Sequence, residues 1–279
     1  MKRNLKLKER LEAFLFAVLF AMQAILGLLP SDTVQAAVTA IEIWKADQMV
    51  DYEYRFNMKY QPGITTYETF GCDNKDSDAF SDHGRSGRDT ESVRVAADYK
   101  PGSAGIRYNN VGKDGEGNIV DVRLTLMGVE NAERRYDIRT PISKTENNGG
   151  LSFGWENNES YPIVGFSKNS IGIFIYSVGS AKINFQFLKH GTEEVLSIHG
   201  HGTIRDIDAA QAVEIPSDSN LDHAYVLADN DFLKVNGTYV GSQNIAIEPD
   251  DEKGWMNMLY DTDNFNLVFS HQEKPVSYT

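Results

Sequence analysis

Alternation of apolar and polar residues with a period of two dominates the chain. Between Ile41 and Tyr60 there are two such stretches. In the second, Tyr52, Tyr54, Phe56 and Met58 fall on one side and Glu53, Arg55 and Asn57 on the other. That spacing predicts an antiparallel strand with one wet face, ended by Pro62-Gly63. The clearest hairpin joins Gly105–Val111 to Ile119–Leu126 through Gly112-Lys113-Asp114-Gly115-Glu116-Gly117-Asn118. Asp-Gly and Gly-Asn supply the positive φ values that a tight connection needs. Val120, Val122, Leu124 and Leu126 point one way, against Asp121, Arg123 and Thr125. Further strands are predicted at Ile163–Phe166, Ile171–Ser177, Lys182–Leu188, Glu194–Arg205, Ala224–Leu227, Phe232–Val235, Ile245–Glu248 and Phe265–Ser270.

Helical patterning is confined to Ala209–Val213 and Ala132–Tyr136, each long enough for a turn at most. From Gly71 to Tyr99 the chain is rich in Asp, Ser, Gly, Arg and Asn, which predicts a long irregular loop with one strand near Ser92–Ala97. Many short strands and no βα alternation predict an all-β fold, an antiparallel β-sandwich of jelly-roll or immunoglobulin-like type, with that irregular region towards the N-terminus. No fixed-period repeat or composition break divides the body.

The first 36 residues read differently. Lys2, Arg3, Lys6, Lys8 and Arg10 precede an apolar run from Ala13 to Leu29, broken only by Gln23, and Pro30 ends it. Val34 and Ala36 are the small or neutral residues that a signal peptidase reads, so residues 1–36 are expected to be a signal peptide cleaved after Ala36. The 17-residue run sits at the lower limit for spanning a bilayer, and no later stretch approaches that length. Residues 37–271 are then one β-sandwich domain outside the cytoplasm, and residues 272–279 a linker or tail without a sorting motif.

Charge narrows the partners. The 279 residues carry −13, and loss of the leader leaves 22 basic against 37 acidic residues, a formal charge of −15. Such a body has no basic stripe to neutralise phosphates, which argues against nucleic acid, and it is not drawn to anionic membranes once the leader is gone. Cys72, the one cysteine, excludes an intrachain disulfide and any multi-cysteine metal site.

Candidate chemistry is sparse. Asp206 and Asp208, with Glu214 or Asp222 in reach, offer hard oxygen ligands for a Ca²⁺ ion; the competing reading is an aspartate turn in which each carboxylate caps backbone N–H groups. Asp73-Asn74-Lys75-Asp76-Ser77-Asp78 has calcium-loop spacing without the glycine and distal glutamate of such loops. His199 and His201 lie at i and i+2 of one strand and share a face. Leu196, Ile198, Gly200, Gly202 and Ile204 form the apolar or small set, which turns both histidines to solvent without a third ligand. No Gly-x-Ser-x-Gly, no His-Glu-x-x-His and no phosphate-cradling glycine loop occurs. Trp44, Trp155 and Trp255 are candidates for stacking on sugars, with core packing the commoner use of tryptophan.

The hairpin text Tyr108-Asn109-Asn110-Val111-Gly112 with Val120-Asp121-Val122 resembles the N-terminal region of large cell-surface adhesins and isopeptide-forming fimbrial proteins of Gram-positive bacteria. Phe185–Leu188, Gly202–Asp208 with its Asp-Ile-Asp turn, Trp255–Tyr260 and the final Phe265–Phe269 strand extend the resemblance from about Arg107 to His271. It implies a wall-displayed, non-enzymatic binding or stalk module, and makes Lys182 a candidate for an internal isopeptide bond whose partner the sequence does not name. The expected function is therefore an exported adhesin-type binding module with an extracellular protein or glycan ligand, either joined to further domains of a longer surface protein or released on its own. A secreted carbohydrate-active enzyme and a structural stalk segment are the alternatives.

Overall fold

A computed structural model describes residues 39–44, 55–76, 92–95, 99–131, 142–145, 151–154, 163–176, 178–208, 211–242, 247–248 and 250–271. The leader, the expected turn at Ala132–Tyr136, Trp155 and the C-terminal tail lie outside them. The described residues belong to the compact unit Val38–Thr279.

The first strands are β1 (Ile41–Trp44), β2 (Phe56–Asn57), β3 (Thr66–Phe70), β4 (Cys72–Asp76) and β5 (Ser92–Val95). The predicted hairpin follows as β6 (Gly105–Lys113) and β7 (Ile119–Asn131), then β8 (Ile142–Thr145), β9 (Leu151–Gly154), β10 (Ile163–Ser167), β11 (Ile173–Tyr176) and β12 (Val178–Lys189). The remainder are β13 (Ile198–Ile204), β14 (Gln211–Glu214), β15 (His223–Leu227), β16 (Phe232–Asn236), β17 (Tyr239–Ser242), β18 (Met256–Thr262) and β19 (Asn264–His271). Among the described residues there is no α-helix, only a 3-10 turn at Glu252–Gly254. The fold is all-β, as the alternation predicts.

Eight strands form an antiparallel sheet in the order β16-β17-β14-β19-β12-β7-β6-β3, and five form a second in the order β1-β15-β18-β13-β2. A four-stranded sheet β11-β10-β5-β4 and the β8-β9 pair complete the set. The core lies between the two large sheets. Phe187 and Phe265 of the eight-stranded sheet meet Tyr260 of the five-stranded one, with Phe187 and Tyr260 stacked at 5.1 Å and Tyr260 and Phe265 at 5.4 Å between centroids, and Phe185 stacks on Phe265 at 4.9 Å. Phe56 meets Phe187 edge to face at 5.9 Å. Val120, Val122, Leu124 and Leu126 are all fully buried. The small sheet adds Val93, Val95, Val164 and Phe166 to the same core, and the Tyr108 hydroxyl donates to the Ser167 carbonyl at 2.7 Å.

Three expectations change. The Phe56 region is not an antiparallel strand: β2 is two residues long and runs parallel to β13, and β1 runs parallel to β15. The alternation had located the buried Phe56 and half-buried Met58 correctly, but strand direction is set by the partner and leaves no trace in a local pattern. Second, Gln211–Val213, read as part of a helical turn, belongs to β14, paired with both β17 and β19. Third, the polar stretch after Gly71 holds β4, so the calcium-like run Asp73–Asp76 is extended chain paired with β5; Ser77 and Asp78 lie outside the described residues. Ile247 and Glu248, expected at the end of a strand, are irregular.

Candidate functional site

The five-stranded sheet has two unlike sides, and alternation along each strand decides which residue faces where. Ile41, Ala224, Val226, Ile198, Met256, Met258 and Tyr260 join the main core. The intervening residues face away from it. There Tyr225, Leu259 and Trp44 form a second, isolated apolar cluster. Register brings residues from four strands side by side: Glu42 pairs with Tyr225, Tyr225 with Asn257, and Asn257 with Thr203, while Leu259 lies between His223 and His201. At a strand spacing of about 4.8 Å this is a face roughly 14 Å across.

The centre of that face is held rigidly. The Trp44 indole stacks on the Tyr225 ring at 4.0 Å and 10°, and its Nε1–H donates to Glu42 Oε2 at 2.7 Å. Glu42 Oε1 lies 3.2 Å from His223 Nδ1, with both side chains 46% exposed. Hydrogen bonding from the Trp44 indole, followed by contact with His223, outweighs a slight burial effect and keeps the Glu42 carboxyl below its ordinary range. Further along, Thr203 Oγ1 donates to Asn257 Oδ1 at 2.9 Å, and His199 Nδ1 stands 3.6 Å from Asp261 Oδ2. At one end the Arg205 guanidinium lies 4.3 Å over the Trp255 ring.

The histidine pair is oriented as its register predicts. His199 is exposed and His201 half-buried, between the buried Ile198, Gly200 and Gly202. Gly200 is required where it stands. A Cβ there would lie 2.7 Å from the Phe56 carbonyl oxygen and 2.8 Å from a Tyr260 ring carbon. Only glycine lets β2 and the Tyr260 ring approach this closely. Among the described residues no group of three or more His, Cys, Asp or Glu side chains is placed to hold a metal ion.

Asp206 and Asp208 sit just past β13. Asp206 is exposed with φ +60°, and partial burial, followed by the nearby Asp208 charge, pushes its carboxyl up. Asp208 Oδ2 accepts from the Ile247 N–H at 3.1 Å, and the Asp208 carbonyl accepts from the Gln211 N–H at 2.7 Å. One carboxylate is thus engaged in joining two loops, and the other is raised by partial burial and then by its neighbour. Lys182 Nζ is 2.5 Å from Asp218 Oδ2, with side chains 31% and 58% exposed, an ion pair in contact with solvent. Cys72 is half-buried, its Sγ 3.5 Å from the Gly105 carbonyl.

A second polar constellation, unnoticed in the sequence, lies on the eight-stranded sheet. Asp121, grouped by alternation with the wet side of β7, is fully buried. Its carboxylate accepts from Arg107 Nε at 3.1 Å and Nη2 at 2.7 Å, from the Asn110 N–H at 2.7 Å and from the Gly191 N–H at 3.2 Å, and it meets His190 Nδ1 at 2.7 Å. Asn110 has φ +61° inside the β6 irregularity between Tyr108 and Gly112. Arg107 also donates to Glu193 at 2.9 Å and to the Thr192 carbonyl at 2.7 Å. Asp121 therefore ties the irregular β6 backbone to the loop after β12. With its oxygens occupied by five donors it is a structural node, not a reactive carboxylate.

No protein-family model matches the chain, and no curated protein matches it. Among solved structures, the chain is similar to the N-terminal domain of the Streptococcus gordonii adhesin Sgo0707, with a TM-score of 0.43 and 11% identity. The match covers 85% of this chain and 64% of that one. Among the described residues no helix is long and apolar enough to cross a membrane.

Proposed function

We propose that this chain is an exported, cell-surface binding module without catalytic turnover, and that it engages an extracellular ligand through the outer face of its five-stranded sheet. One observation carries the reading. The core side of that sheet is already filled, yet the opposite side gathers Trp44, Tyr225, Leu259 and three histidines from β1, β13, β15 and β18. Tyr225 and Leu259 are buried, so the half-buried Trp44 and the histidines are the groups that a ligand would meet on this side. The basic and apolar leader, the acidic charge and the adhesin-like motifs of the β6–β7 hairpin support export and display. Calcium held by Asp206 and Asp208 belongs to the same proposal, as a stabilising ion and not as a catalyst.

Fractionation with intact-mass analysis tests export: the product begins at Ala37 and leaves the cytoplasm. An array of matrix proteins and glycans tests binding. Release of reducing ends from a polysaccharide would replace this reading with that of a carbohydrate-active enzyme. A single cooperative melt is expected of one domain over residues 37–271, and two transitions would divide it.

A further inference from the structure

We propose that the exposed side of the Trp44 indole is a stacking platform for a neutral pyranose sugar, with Glu42 and His223 as its hydrogen-bonding rim. This rests on the reading of the chain as an extracellular binding module and names the ligand class. One face of the indole is occupied by Tyr225, in near-parallel contact at 4.0 Å. Its N–H is occupied by Glu42. These two contacts orient the ring, which remains half-buried. Covering the main core does not explain it, because the cluster it completes contains only Tyr225 and Leu259 and is separate from that core.

A flat aromatic ring held this way binds flat apolar surface with little further loss of rotamer freedom. A pyranose offers such a surface in its axial C–H groups, and its hydroxyls project at the edge. There Glu42 supplies acceptor capacity. An ionised carboxylate offers about four lone-pair sites, and Trp44 and His223 use two. Three strands further across the same face, beyond the buried Tyr225 and Asn257, the half-buried Thr203 and His201 add hydrogen-bonding groups. The charge of the whole chain, −13, disfavours an anionic sugar. A cationic peptide group is the rival occupant of an exposed indole. The sugar fits better, because the one carboxylate at the ring already meets an indole N–H and an imidazole, and the other carboxylate of this face, Asp261, stands 3.6 Å from His199.

The experiment follows the tryptophan indole N–H signals of the secreted chain by NMR during titration with lactose, maltose and cellobiose. The range extends to about 50 mM, as the affinity of one stacked ring is expected near the millimolar level. The Trp44 signal, identified by its loss in Trp44→Phe, shifts with at least one of the three, while that of Trp255, covered by Arg205, does not. Read from the backbone amide signals, Trp44→Ala weakens binding at least about tenfold. Glu42→Gln keeps the indole and weakens it several-fold, which preserves the test if Trp44→Ala folds poorly. Absence of a Trp44 shift with all three sugars overturns the proposal, as does undiminished binding in both variants. A shift with a trimethyl-lysine peptide and none with sugars overturns it in favour of a cation site. Failure of the underlying reading looks different: the chain stays in the cytoplasm with Met1 intact, whatever Trp44 does. An array ligand still bound by Trp44→Ala removes the platform and leaves the module.

Discussion

Replacing Asp121 by alanine is the most severe single test of how this sandwich is held. The change removes a fully buried carboxylate and leaves four groups without it: the Arg107 guanidinium, whose side chain is 11% exposed, the N–H groups of Asn110 and Gly191, and the half-exposed His190 imidazole. Removing one partner of a buried ion pair costs about 3–5 kcal/mol. Each orphaned buried N–H adds about 1–3 kcal/mol. Arg107 keeps Glu193 and the Thr192 carbonyl, and Gly191 is exposed, so only the half-buried Asn110 N–H is added to the ion-pair cost and the low end of that sum applies, about 4 kcal/mol. In a domain of this size that is a fall in melting temperature of roughly 8–16 °C. Asp121→Asn keeps one acceptor and loses the charge, so about 2 kcal/mol is expected. Urea unfolding with an unchanged m-value measures both. The pH dependence has a definite sign. Burial raises the Asp121 carboxyl, but hydrogen bonds from Asn110, His190, Arg107 and Gly191 outweigh it and hold the group below its ordinary range. Its contribution is then fully present above the unfolded value of about 3.9 and is lost as pH falls through the lower folded value. The gap between the parent and Asp121→Asn should narrow in acid. An Asp121→Ala loss under about 1 kcal/mol, or a gap independent of pH, would refute the node.

Further outcomes follow from the five-stranded sheet and the turn after β13. Gly200→Ala forces a Cβ against the Phe56 carbonyl and is expected to cost about 2–3 kcal/mol, whereas Gly202→Ala, with its nearest neighbour at 3.5 Å, costs under about 1 kcal/mol; paired thermal melts compare them. Tyr260→Phe deletes a buried hydroxyl that donates to the His201 carbonyl at 2.8 Å, and chemical denaturation should record a loss of about 1–2 kcal/mol with spectra unchanged. Asp206→Asn should raise the midpoint by roughly 1–2 °C at neutral pH in chelator. The folded state disfavours the ionised carboxyl, and Asn accepts positive φ more readily than most residues. With calcium bound to Asp206 and Asp208, millimolar calcium raises the parent midpoint and leaves Asp206→Asn with Asp208→Asn unmoved; a parent indifferent to calcium reduces both residues to turn formers.

Alternation alone determined the all-β class, the β6–β7 hairpin and its core face, the outward turn of His199 and His201, and most strands from β10 to β19. The reason is local: a strand buried on one side must repeat every two residues, and a tight turn must carry residues that accept positive φ. Where that cause is missing, so is the signal. The edge strand β3 is exposed at Thr66, Tyr67 and Glu68, with no buried side to impose a period. β14 carries alanine and glutamine, good helix formers, and becomes a strand only because β17 and β19 flank it.

Tertiary structure alone decided the candidate site. Glu42 and His223 are 181 residues apart and meet because β1 lies parallel to β15, a pairing that no local pattern encodes. Asp121 shows the opposite limit. Its place in the alternation predicts a solvated aspartate, which held only until the loop after β12 closed over it and turned a polar position into a buried one. Period tells which side of a strand a residue takes; what covers that side depends on contacts distant in sequence.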